Sequence, residues 1–168
     1  MNPIIAAGLL LGVLCGAWTF VMGFTGWYKD PAMVNAFFLV ILIEIGVLIW
    51  GMRQTARQGR SYGGQVIAGT SMAVIGGLII IGSSLLFTTV AFPDYFREVE
   101  AVQRQMLAAD GNTEAEIAAA ITAGAGMQTP IMNALTGFLG TVVTGFLTAL
   151  VAGWFLRAKR GAPAVART

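Results

Sequence analysis

Hydrophobic and polar positions are sorted into blocks along this chain. Residues 3–24, 32–52, 64–92 and 130–157 form four apolar runs, uncharged except for Glu44 in the second and Arg157 at the end of the last. Each is as long as the ~20 residues a helix needs to cross a ~30 Å hydrocarbon core. Only helices or closed barrels satisfy their backbone groups in lipid, and unbroken apolar runs of this length select the helix. The pattern predicts an all-α integral membrane protein, one membrane domain over residues 1–168 with four transmembrane helices. Between the third and fourth runs, residues 93–129 hold Asp94, Arg97, Glu98, Glu100, Arg104, Asp110, Glu114 and Glu116 and must leave the membrane. Residues 158–168 form a basic tail.

Within three of the runs a second period is visible. The last repeats a small or hydroxyl residue every fourth position, at Gly137, Thr141, Gly145, Ala149 and Gly153. The first carries Gly8, Gly12 and Gly16, and the third Gly69, Ala73 and Gly77. Such spacing places the small residues on one helix face, where another backbone can approach closely and gain dispersion contacts that lipid does not offer. Helices one and four are therefore expected to pack on each other, leaving Phe138, Val142, Phe146 and Leu150 to lipid. Trp27 and Tyr28, just after the first run, and Trp50 at the end of the second are expected in the aromatic belts at the headgroups.

The polar segment has a helical period of its own. Tyr95, Phe96, Val99, Val102 and Met106 make one apolar stripe after Pro93. Asp110-Gly111-Asn112 breaks it, and Thr113 followed by Glu116 matches a capping box that opens a second short helix. An amphipathic helical hairpin is thus expected between the third and fourth membrane helices. Pro130 then suits the first position of the last helix, where a missing N–H loses nothing.

Charge gives the orientation. Arg53, Arg57, Arg60, Arg157, Lys159, Arg160 and Arg167 fall on one side with no acid, whereas Lys29, Arg97 and Arg104 share the other with seven carboxylates. Cationic loops stay in the cytoplasm, so both termini are expected there and the hairpin outside, in a bacterial inner membrane. Composition narrows the chemistry: the chain is 57% hydrophobic, with no His and one Cys, Cys15. The commonest metal ligand and general base is missing, and no disulfide can close within the chain. No catalytic residue, metal or cofactor is expected. Nucleic acid is an improbable partner because the cationic loop and tail suit anionic lipid.

Several short stretches resemble the DUF4199 family of small bacterial membrane proteins: Met22-Gly23-Phe24-Thr25-Gly26-Trp27, Gly59-Arg60-Ser61-Tyr62-Gly63, Phe92-Pro93-Asp94-Tyr95-Phe96 and Thr129-Pro130-Ile131-Met132-Asn133-Ala134-Leu135. The resemblance implies four transmembrane helices and supplies no functional residue.

Two places remain as candidate sites. Glu44 lies near the middle of its run, where a charge costs at least ~2.5 kcal/mol and faces protein or water. It reads as a structural group bonded to Thr19, Ser83, Ser84, Thr141 or Thr144, as a contact with a neighbouring subunit, or as a proton or cation relay. Tyr95, Phe96 and Met106 read as docking anchors for an external partner, or as an amphipathic cover on the bilayer. The first functional expectation is a non-catalytic accessory or structural subunit, its partners membrane lipids and other membrane protein subunits, with no small-molecule substrate identifiable. The alternative is a small transporter or channel subunit that uses Glu44.

Overall fold

The computed structural model describes residues 2–157, which hold six α-helices and no strand. The basic residues Lys159, Arg160 and Arg167 lie outside the described residues. Helix α1 spans Pro3–Thr25, α2 Leu39–Ala56, α3 Tyr62–Leu86, α4 Tyr95–Ala109, α5 Glu114–Gly124 and α6 Pro130–Leu156. A 3-10 turn, Val34–Phe38, leads into α2, and a π-helical turn, Phe87–Ala91, prolongs α3. Counting those extensions, four helices are long and apolar enough to span a membrane: Pro3–Thr25, Val34–Ala56, Tyr62–Ala91 and Pro130–Leu156.

The ends of these helices follow from local chemistry. Asn2 accepts from the Ile4 N–H at the start of α1, with Pro3 in its first turn. Gly26 ends α1 at φ 71°, a left-handed conformation that costs glycine nothing. Ser61 and Thr129 cap α3 and α6 through their hydroxyls, and α6 opens on Pro130. The π-helical turn closes with Phe92 N–H donating to the Phe87 carbonyl, and Pro93 prevents any continuation. Thr113 and Glu116 form the reciprocal capping box on α5.

Small residues decide which helices meet. A Cβ on Gly8 would stand 2.7 Å from Ile75 Cβ, and one on Gly12 2.6 Å from Ile79 Cβ, so α1 lies against α3 and runs parallel to it. The expected contact of the first membrane helix with the last is thus corrected: the Gly8, Gly12, Gly16 face is taken by α3. A small-residue stripe dictates close approach but carries no information about the partner. Helix α3 presents another face to α6, with Gly69 against Ala149, Ala73 against Gly145 and Gly77 against Phe138. Phe138 therefore fills an interhelical slot and Val142 and Leu150 are half-buried, whereas Phe146 is exposed as expected, beside an exposed line of Leu135, Leu139, Val143, Leu147 and Val151.

Helix α2 completes the bundle, packing on α1, α6 and α3. Gly51 receives Ala7 and Met72, and Leu48 and Met52 reach Gly145 and Gly153. Ala7, Leu11, Cys15, Val47, Leu48, Met52, Ala68, Met72, Ala73 and Ala149 make the shared core. One buried polar tie joins α2 to α3 near the Ala56–Tyr62 connection, where Thr55 Oγ1 lies 2.8 Å from Gln65 Oε1. Both residues are fully buried.

Candidate functional site

Helices α2 and α6 are in direct contact toward one end and both line a cavity toward the other. At the end with the α2–α3 connection, Leu48 and Met52 seal against Gly145 and Gly153. Toward the other end, residues of both helices instead line a cavity of about 290 Å³. Its α2 wall is Phe37, Phe38, Val40, Ile41 and Glu44, and its α6 wall Asn133, Thr136, Gly137, Gly140, Thr141 and Thr144. Cys15 and Thr19 of α1, with Ile80, Ser83, Ser84 and Phe87 of α3, close the back, and Tyr95 of α4 adds the last side. Phe37, Phe38, Ile41, Thr136 and Gly140 on the rim are exposed on the outside of the bundle.

Glu44 is the one charged group in this lining and is only 3% exposed. Its Oε1 is buried without a hydrogen-bond partner among the described residues. The bonds expected to Thr19, Ser83, Ser84, Thr141 or Thr144 are not made. Those hydroxyls are partly committed elsewhere: Thr19 donates to the Cys15 carbonyl at 3.1 Å and Ser83 to the Ile80 carbonyl at 3.1 Å. Ser84 Oγ accepts from Asn133 Nδ2 at 2.9 Å. Hydroxyls that bond back to their own helix keep acceptor capacity facing the cavity. Leaving a buried polar atom unpaired costs roughly 1 to 3 kcal/mol. Trp18 Nε1 and Gln65 Nε2 are also buried without a partner among the described residues, but of the three only Glu44 lines the cavity.

Beside the cavity, α4 is fastened to the turn after α1. Tyr28 donates to Glu98, and Lys29 Nζ lies 2.7 Å from the same carboxylate. The Tyr28 ring is 4% exposed, packed with Phe87, Phe92 and Tyr95. Burial first, and the Glu98 carboxylate second, push the Tyr28 hydroxyl up to about 12. Glu98 is held below the usual carboxylate range by Lys29 and then Tyr28, and Lys29 is raised by its bond to Glu98. The Tyr28 ring is turned into the bundle to carry this link.

The docking anchors expected on α4 do not share one surface. Tyr95 is turned into the aromatic cluster, with its ring 5.2 Å from those of Tyr28, Phe87 and Phe96, and it lines the cavity. Phe96 is half-buried, and Met106 is exposed. Of the stripe residues, Thr141 and Gly137 contribute to the cavity wall, and the others named on α1, α3 and α6 lie between helices. Asn133, Tyr28 and Glu98 were invisible as site residues in the sequence. Asn133 and Glu98 are single polar residues at helix positions, and nothing in their spacing names the partner that folding brings.

The chain belongs to the family described as protein of unknown function (DUF4199), whose model matches residues 7–158. No curated protein and no solved structure shows significant similarity to it. Its class is that of a multi-pass protein with four membrane-length helices.

Proposed function

We propose that the protein is a small transporter or channel subunit in which Glu44 exchanges a proton or a cation with the cavity. The observation that supports this reading is the placement of Glu44: a buried carboxyl whose Oε1 has no hydrogen-bond partner among the described residues, and one of the residues that line a cavity. Intramembrane carboxyls that face such spaces mark ion and proton paths. The acid-free Arg53, Arg57 and Arg60 loop belongs on the cytoplasmic side of a bacterial inner membrane, with both termini, while α4 and α5 form an external hairpin. The cavity then lies toward the outer leaflet.

Purified protein in liposomes containing a pH-sensitive dye tests the reading. Wild type is expected to give proton flux above that of empty liposomes, and Glu44→Gln to remove it while purifying with unchanged helicity. An amide of the same size keeps hydrogen bonds but exchanges no proton. Equal flux from the Gln variant, or no flux from wild type, would overturn the proposal.

An accessory subunit is the second reading. Gly46 and Gly82 leave bare backbone on the outside of the bundle, with no atom within 4 Å of an added Cβ, and so offer places for a neighbouring helix to approach. Co-purification of a defined partner that Gly46→Leu or Gly82→Leu releases would support it.

A further inference from the structure

We propose that the Glu44 cavity binds a lipophilic organic monocation, an ammonium carried on a small apolar or aromatic body. This deepens the reading of the cavity as the working site and rests on it. The sign of the ligand follows from the wall. Glu44 brings the single formal charge, and no Lys or Arg lines the cavity to neutralise it. The hydroxyls of Thr19 and Ser83 already donate to their own helices, so what they turn to a ligand is acceptor oxygen. A wall with one buried acid and no cation among the described residues favours a cation over an anion.

The rest of the wall decides which cation. A bare inorganic ion needs a shell of some six oxygen ligands, and its hydrated form needs water-lined surface. This cavity is predominantly apolar, with Phe37, Phe38, Phe87 and Tyr95 among its lining. Aromatic and aliphatic walls around one acid suit an organic ammonium, whose charge is spread over alkyl groups and is stabilised by ring faces. A volume of about 290 Å³ sits at the small end of ligand pockets, so the body is limited to one ring or a short alkyl group. The exposed rim at Phe37, Phe38, Ile41 and Gly140 lets such a molecule enter sideways from the bilayer, in which it concentrates.

Radiolabelled benzyltrimethylammonium, measured on the full chain in nanodiscs of zwitterionic lipid, is the probe, and neopentylbenzene is its neutral isostere. Saturable binding to wild type is expected, competed by unlabelled cation and not by the neutral compound. Glu44→Gln should weaken it about tenfold or more. Gly140→Leu should do the same by filling the mouth, because a Cβ at Gly140 meets nothing within 4 Å and the fold can accept it. Gly46→Leu, outside the bundle, should leave binding unchanged. Equal competition by neopentylbenzene, or binding indifferent to both Glu44→Gln and Gly140→Leu, would overturn the proposal. If no cation binds but Glu44-dependent proton flux persists in liposomes, this inference fails and the transport reading stands. If binding and flux are both absent, both fail.

Discussion

Glu44 and Glu98 show how one residue type serves opposite ends by its surroundings. Glu98 has two donors, Tyr28 and Lys29, and its carboxylate is stabilised below its ordinary range. A depressed carboxyl contributes stability that is present above its unfolded value and is lost as pH falls through the lower folded one. Tyr28 behaves in the reverse sense: its raised hydroxyl favours the folded state below the ordinary tyrosine value and loses that contribution as pH rises toward about 12. The tie between α4 and the turn after α1 is therefore expected to hold through the neutral range. Ultraviolet titration in a Tyr62→Phe, Tyr95→Phe background should show Tyr28 ionising near 12, and Glu98→Gln should bring it only part of the way down, because burial is the larger cause. A full return to the ordinary value would mean that the ring is solvent-exposed. Tyr28→Phe keeps the ring and removes the bond, which should lower stability by about 1 kcal/mol.

At the scale of elements, the sequence made helix existence legible and helix partnership illegible. Apolar length located all four long helices to within a few residues, and Thr113 with Glu116 marked the start of α5. The Gly8, Gly12, Gly16 stripe, however, predicts a close neighbour without naming it, and α3 turned out to have small residues on two faces, one for α1 and one for α6. The second of those was visible as Gly69, Ala73 and Gly77; the first is made largely by Gly76, beneath Leu11. Overpacking these contacts is the direct check. Gly145→Leu should press on Ala73, and Gly12→Leu on Ile79, each costing about 1 to 3 kcal/mol. Gly46→Leu should be nearly neutral, since it adds a side chain to open space. Equal tolerance at all three positions in thermal unfolding would contradict the helix pairing.

Over the whole molecule, charge and cavity are placed along the same axis. Arg53, Arg57, Arg60 and Arg157 gather at one end, with Arg157 resting 3.7 Å from the Trp154 ring centre, and the described acids other than Glu44 gather at the other. Cysteine labels at Gly59 and Gly111 should consequently react from opposite faces of the membrane, Gly59 from the cytoplasm. Reaction of both from one side would remove the topology. The cavity itself was not legible beforehand, because its lining comes from separate helices that only folding brings together, and no residue pattern in one of them announces it. What could be read was that Glu44 stood alone among apolar neighbours.

The account depends most on that cavity, and thiol reactivity measures it. In a Cys15→Ala background, single cysteines at Thr144, on the cavity wall, and at Leu48, buried where α2 meets Gly145 of α6, are treated with a small cationic methanethiosulfonate. The cysteine at 144 should react about tenfold faster or more, and Gly140→Leu should slow it. Equal protection of the two thiols would show that α2 and α6 are closed along their length and that Glu44 faces no cavity.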